Sequence, residues 1–226
     1  MVARPYVLLS AAMSIDGYLD DATGERLVLS NAEDLDRVDA VRVDCDALLV
    51  GANTIRCDDP RLLVRSEERR AAREARGLGA SPIKVTLTGR GDLDPGSRFF
   101  TTGDVDKLVY TATPAVEKLT ERLGAVATVL DAGEPVELPR VLADLVRRGV
   151  ERLMVEGGSG VHTQFLRAGL ADELHLVVAP FFVGDSRAPR FVGDGAFPWS
   201  PHRPARLADV RRLGDVVLLR YTMDAR

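Results

Sequence analysis

The chain is poor in the residues that disulfide scaffolds, metal centres and membrane spans require. Only two of its 226 residues are cysteine, Cys45 and Cys57, with no CxxC between them, and the three histidines, His162, His175 and His202, are scattered. This argues against a disulfide framework and a cysteine–histidine cluster, so no metal is expected. No apolar run approaches the ~20 residues of a membrane span. The N-terminus has no charged n-region, apolar h-region or small-residue cleavage site, and a cytoplasmic protein without a membrane partner is expected. A surplus of positive charge is missing too. Thirty Lys and Arg against 34 Asp and Glu leave a net charge of -4, which argues against general nucleic-acid binding. What is present is an ordinary balance, 46% apolar and 28% charged, in a chain long enough to bury a real core. No repeat or linker stands out, so a single domain over residues 1–226, with its core at about 4–221, is expected.

Strand and helix patterns alternate. Tyr6–Ala12, Ala47–Val50, Ile83–Thr88, Lys107–Thr111, Ala125–Leu130, the run ending at Glu156, and Glu173–Val178 read as strands. Ser30 with Glu33 has the spacing of a capping box before a helix over Ala32–Val43. Pro114 suits the first turn of a helix to Leu123, and Leu138–Arg148 is amphipathic and stops at Gly149. Arg206–Arg212 and Val216–Tyr221 flank Leu213-Gly214-Asp215, an antiparallel hairpin. The expectation is an α/β fold, a mixed, mostly parallel sheet with helices on both faces and a C-terminal hairpin. Arg65–Arg76 interleaves arginines with glutamates and reads as a solvated helix or loop rather than a polyanion patch. The proline- and glycine-rich stretch Phe181–Pro204 reads as an ordered surface loop long enough to act as a lid.

Three polar clusters follow strand ends. The most informative is Val155-Glu156-Gly157-Gly158-Ser159-Gly160-Val161-His162, where an apolar run ends in an acid, breaks into glycines and opens a helix from Val161 to Ala168. Glycines let backbone N–H groups approach a ligand, and a helix start carries partial positive charge, a combination suited to phosphate. The plain alternative is a glycine-rich turn without a ligand, since Gly157–Gly160 is not the dinucleotide fingerprint GxGxxG. The second cluster is Ser14-Ile15-Asp16-Gly17, and the third is the block Val50–Leu62. Taken singly, each of these also reads as a turn or a helix cap. Strand ends on one sheet edge converge, so together the three suit one cleft.

In these blocks, with Ser30–Val43 and Asp172–Pro180 in consistent order, the chain resembles the reductase family of riboflavin biosynthesis. That family includes the reductase half of the bacterial deaminase–reductase and stand-alone archaeal and fungal enzymes. The resemblance spans about Arg4 to Tyr221. The deaminase signature, HxE with a later PCxxC, is absent, which is similar to the stand-alone type. The resemblance implies a dihydrofolate-reductase-like fold. It also implies NADPH as cofactor, with hydride passing to C1′ of a ribosylamino-pyrimidine 5′-phosphate so that the ribose becomes a ribityl chain. By position, Gly51, Thr54 and Asp58 match the cofactor side, as does the run Gly157, Gly158, Ser159, Gly160, Val161, His162, Thr163 and Gln164. Arg42, Leu62, Arg65 and Glu156 match substrate positions. Asp16 and Glu156 match acids near the reaction centre.

The chain departs from the family pattern in two places. After Ile83–Leu87 it carries Thr88-Gly89-Arg90 where many members have an Asp-Ser or Asp-Thr pair, and Arg90 is expected to approach the 2′-phosphate of NADPH. Leu27 stands in the segment Gly24–Leu29 where bacterial members often carry tryptophan. Three readings stay open: this reductase, a reductase of the same fold acting on another pterin- or pyrimidine-like compound, and a nucleotide-binding protein without catalysis. Similar proteins are homodimers. The apolar run His175–Val183 suits either an interface at Phe181 and Phe182 or a strand buried on both faces.

Overall fold

The computed structural model describes residues 3–23 and 27–223. In chain order the elements are β1 (Tyr6–Ser14), α1 (Ala32–Val43), β2 (Ala47–Gly51), α2 (Ala52–Asp58), α3 (Glu67–Ala75), β3 (Ile83–Thr88), α4 (Arg98–Thr101), β4 (Lys107–Thr111) and α5 (Val116–Leu123). They continue as β5 (Thr128–Asp131), α6 (Leu138–Arg147), β6 (Arg152–Gly157), α7 (Ser159–Arg167), β7 (Glu173–Ala179), β8 (Arg206–Leu213) and β9 (Val216–Thr222). The strands form one sheet in the order β5-β4-β3-β2-β6-β1-β7-β9-β8. Within it the chain divides into two compact units, one built on Asp39–Met154 with the N-terminal residues to Pro5, the other on Tyr6–Val38 and Val155–Arg226.

In the first unit β2, β3, β4 and β5 pair in parallel. Inner strands of such a sheet are buried on both faces and favour apolar runs: every residue of β2 is buried, whereas β5, at the end of the strand order, has none buried. Asp46 sets the start of β6, accepting from the amides of Glu151 and Arg152 at 2.9 and 2.8 Å. Two buried cations hold carbonyls that secondary structure leaves over. Lys84 donates to Phe99 and Thr102, and Arg73 donates to Gly79, Val43 and Cys45. The helix α6 ends as its sequence indicates. Gly149 takes φ +83° and donates to Val146, and Val150 donates to Leu145, which is a Schellman cap.

In the second unit β1 and β7 are parallel, and β9 and β8 continue antiparallel as the expected hairpin. Asn31, not Ser30, caps α1: its Oδ1 accepts from the Asp34 amide at 3.0 Å while its Nδ2 donates to the Leu213 carbonyl at 2.7 Å. Further differences from the sequence reading are local. The strand read from Ala125 begins at Thr128, because the amides of Val126 and Ala127 still bond back to Leu123. The helix α7 starts two residues early, at Ser159. Two helices not read from the sequence appear, α2 and α4. Arg65–Arg76 is a helix from Glu67, though with Arg73 buried rather than solvated. Among the described residues no helix is long and apolar enough to cross a membrane.

A buried polar chain ties α1 to the sheet in this unit. Glu173 and His175, two apart on β7, lie on one face, and His175 Nε2 sits 2.8 Å from Glu173 Oε1. Arg37 Nη1 lies 3.2 Å from His175 Nδ1 and pairs with Asp34 at 2.7 Å, while Arg220 Nη2 reaches Glu173 at 2.6 Å. Arg37 is donor-only, so Nδ1 must accept. The ring is then neutral with its proton on Nε2, directed at Glu173. Arg220 Nε, 3.1 Å from that same Nε2 and 3.2 Å from Glu173, therefore bonds the carboxylate. Burial lowers His175 from its ordinary range and outweighs Glu173, whose bond and charge work upward, while the charges of Arg37 and Arg220 add to the lowering. For Glu173 burial works upward, but the bonds from His175 and Arg220 outweigh it and hold the carboxyl well below the carboxylate range. In the unfolded chain His175 takes a proton as pH falls through about 6.5 and Glu173 near about 4.3, whereas the folded chain resists both. Stability is therefore full above about pH 6.5 and declines on acidification. The urea midpoint should fall between pH 7 and pH 5, with a flatter slope in His175→Gln. Equal slopes in the two proteins would contradict this account.

Candidate active site

The second unit carries the glycine turn. β6 delivers half-buried Glu156 and buried Gly157 at its carboxyl end. Gly158 then adopts φ +77°, ψ 143° as N-cap of α7. That region is essentially closed to residues with a Cβ. Both Val161 and His162 donate to the Gly158 carbonyl, so the amides of Ser159 and Gly160 point out of the first turn with no partner inside the helix. At Gly160 nothing lies within 4 Å of where a Cβ would stand. The turn is open backbone at a helix start, a place that accepts an anion. Thr163 is turned inward instead, its hydroxyl donating to Ser159 and accepting from the Gly193 amide. His162 is fully buried against the Phe191 ring at 5.4 Å, burial pushes its pKa down to about 4, and its Nδ1 has no hydrogen-bond partner. At neutral pH it is an uncharged packing residue.

Asp16, two residues past β1, is held from three sides. Ser14 Oγ donates to it at 2.5 Å, and the amides of Val183 and Gly184 at 3.1 and 2.8 Å. Desolvation works against the charged form, but these bonds outweigh it and keep the carboxyl below its ordinary range. The expected loop over Phe181–Pro204 is ordered and pinned. Ile15 bonds to Phe181, Leu19 to Pro189 and Phe191 to Gly17, and Arg190 lies over the Tyr18 ring at 4.7 Å. Tyr18 and Arg190 escaped the sequence reading, as nothing local links positions so far apart. Of the segment Gly24–Leu29, where Leu27 departs from the family pattern, residues 24–26 lie outside the described residues, while the amide of Leu27 bonds Asp20 at 3.1 Å.

The first unit carries the other positions. Gly51 closes β2 and caps α2 without a side-chain bond; Thr54 and Asp58 lie on that helix, and Asp59 ends it in the left-handed region at φ 41°. Arg56 is occupied by the Asp92 carbonyl and Asn53, and Arg98 by Asp59. Thr88 is turned into its own loop, accepting from the Gly91 amide at 3.0 Å, while Arg90 is exposed. Leu62 is buried at φ 49°, a strained value for a residue with a Cβ. Arg42 is buried and donates to the Leu63 carbonyl at 2.8 Å; Arg65 is exposed.

The chain is similar to known proteins over nearly its whole length. The family model described as the RibD C-terminal domain matches residues 5–219. A 2,5-diamino-6-ribosylamino-4(3H)-pyrimidinone 5′-phosphate reductase of Archaeoglobus fulgidus is 34% identical over 213 residues, covering 94% of this chain and 95% of that protein. The structure of a pyrimidine reductase-like protein from Corynebacterium diphtheriae superposes with a TM-score of 0.82 at 24% identity, over 96% of this chain and 91% of that one. Dihydrofolate reductase from Enterococcus faecalis, at 15% identity, superposes with a TM-score of 0.53 over 96% of this chain and 98% of the other. The fold is dihydrofolate-reductase-like, as the family resemblance implies.

The conformation of Gly158 makes a prediction that needs no ligand. Gly158→Ala should lower unfolding stability by roughly 1–3 kcal/mol, read from urea denaturation, because any Cβ is strained there. An unchanged midpoint would show that the turn relaxes and that the glycine is not required by the backbone.

Proposed function

The chain belongs to the RibD C-terminal domain family, the reductases of riboflavin biosynthesis, and we propose that it uses NADPH to reduce the ribosyl group of a ribosylamino-pyrimidine 5′-phosphate to the ribityl form. The observation that carries this reading is the β6–Gly158–α7 turn, with two outward amides, an open position at Gly160 and Glu156 just before it. Such a cradle fits the pyrophosphate of a nicotinamide dinucleotide. When bound, NADPH supplies the hydride, and the protein supplies position and electrostatics.

We assign the cofactor to Gly157, Gly158, Ser159, Gly160, Val161, His162, Thr163 and Gln164, with Gly51, Thr54 and Asp58, and the 2′-phosphate to exposed Arg90. His162 and Thr163 serve by shaping the turn, since one is buried and neutral and the other bonds inward. Arg65 receives the 5′-phosphate, because its guanidinium is exposed and makes no hydrogen bond or ion pair among the described residues. Arg42 and Leu62 shape that subsite, and Glu156 contacts the pyrimidine. The open-chain imine accepts hydride best as its cationic iminium. Asp16, kept ionised by Ser14 and two amides, supplies fixed negative charge suited to that cation and is not a proton donor. A cytoplasmic homodimer completes the reading. Leu207, Val210 and Val217 are about half exposed, and the pairing of β8 with β9 places them on one face of the hairpin, an apolar surface suited to a two-fold partner. A monomeric mass of 24.5 kDa in sedimentation at full activity would refute the dimer.

NADPH consumption with the pyrimidine 5′-phosphate, in its diamino and deaminated forms, tests the reaction. Oxidation is expected with at least one of the two, and removing the phosphate should lower kcat/KM by roughly ten-fold or more, the loss of a charge-assisted pair. Oxidation of neither would overturn the reading, and equal rates without the phosphate would remove the subsite at Arg65.

A further inference from the structure

The segment Leu62–Ser66 is held in a way that its own sequence does not explain. It begins at Leu62 in the left-handed region, three residues after Asp59 in the same region. Such a path persists only where neighbours over-determine it. Here they do, group by group. The Leu63 carbonyl takes Arg42 at 2.8 Å, and the Val64 amide donates to Ser81 Oγ at 2.9 Å. The Val64 and Arg65 carbonyls take Arg70 at 3.3 and 2.8 Å. Two further donors, the amides of Arg65 and Ser66, converge on one carboxylate. Asp39 Oδ1 accepts from Arg65 at 2.5 Å and Oδ2 from Ser66 at 3.1 Å, and Arg69 Nη1 closes the set at 3.1 Å.

Asp39 is 2% exposed and sits on α1, 26 residues before Arg65. It binds the backbone of Arg65 and leaves the guanidinium outside. Its charge is answered by Arg69, so little negative field is left to oppose an incoming anion. We propose that Asp39 is a positioning residue for the substrate: it fixes the backbone of the Leu62–Ser66 segment so that the Arg65 side chain starts from a set place and direction toward the substrate's phosphate. Pre-ordering matters because a backbone segment that must be immobilised on binding loses affinity to its conformational entropy. A small misplacement of a substrate-holding group also weakens catalysis out of proportion to its size. A carboxylate is required for the chemistry of the bond set. Three donors meet two oxygens, and an amide would turn its own N–H₂ toward donors. Burial works to raise the Asp39 pKa, but the two amides and Arg69 outweigh it and keep the group ionised.

The proposal rests on the reading that Arg65 meets the substrate, and four variants separate the two ideas. Asp39→Asn, Arg65→Ala, the double variant and Arg69→Met are compared for substrate KM, kcat, NADPH affinity and thermal midpoint. Asp39→Asn should raise substrate KM by roughly ten-fold, with kcat and NADPH affinity nearly unchanged. Arg65→Ala should raise KM at least as much. The double variant should be no worse than Arg65→Ala alone, because Asp39 acts through Arg65. Arg69→Met, which removes one of the three donors, should raise KM by a few-fold and keeps the test decisive if Asp39→Asn fails to fold; an unchanged KM there overturns the proposal. A role confined to folding would lower the thermal midpoint without a KM change, or would add to the loss from Arg65→Ala, and either result overturns the proposal. If Arg65→Ala leaves KM unchanged, the substrate reading itself fails. If only Asp39→Asn leaves it unchanged, the substrate reading stands and the positioning role falls.

Discussion

Parallel pairing is the constraint from which the rest of this structure follows. Two neighbouring strands that run the same way must end at the same edge, and the chain must return to the other edge before each new strand. Ser14 at the end of β1 therefore lies in register with Ala179 at the end of β7. Because of that register, residues separated by 167 positions, Asp16 and Val183, come within hydrogen-bond reach. The same rule places Gly51 opposite Leu87, so that the turn into α2 and the turn at Thr88–Arg90 leave from one edge of the first unit. Polar residues collect at such edges because those carried within the sheet, such as Lys84, Glu173 and His175, need partners of their own.

Arginine shows how one residue type divides between building and binding. Arg73 is buried and donates to carbonyls of Gly79, Val43 and Cys45, and Arg70 holds the chain before its own helix. Removing such a group would leave several buried acceptors without donors, which is costly in a way that losing a surface charge is not. Arg56 and Arg98 are tied to Asn53 and Asp59. Arg65 and Arg90 are exposed as well, but their guanidinium groups make no hydrogen bond or ion pair among the described residues, which is the state a phosphate-binding arginine needs before its ligand arrives. Sequence alone cannot sort these roles, because the partners are mostly backbone carbonyls supplied by the fold.

Elements with strong punctuation were legible. α1, β3 and β4 match their expected bounds because capping residues, glycine and prolines bracket clear periodic runs. The hairpin was legible from Gly214 between two alternating stretches. α2 was not, since seven residues opened by Gly51 without a side-chain cap carry no periodic signal. The Ser30 cap moved to Asn31 because Asn31 also serves the Leu213 carbonyl, a tertiary demand that local rules do not contain. At the site, the glycine turn announced itself through backbone chemistry. The roles proposed for Arg42, Leu62 and Arg65 came from family resemblance. Asp39 was invisible, as its partners are main-chain amides far along the chain and an acid on a helix ordinarily faces water.

In the proposed reaction this fold positions a nicotinamide cofactor for hydride transfer to the ribosyl carbon of a pyrimidine phosphate. The most direct measurement follows the hydrogen itself. NADPH deuterated at C4 of the nicotinamide, in each of its two stereochemical forms, is turned over with the ribosylamino-pyrimidine 5′-phosphate, and the product is analysed by mass spectrometry and NMR. The account predicts one deuterium at C1′ of the ribityl chain from one of the two forms and none from the other. Product without deuterium at C1′ from either form would contradict it.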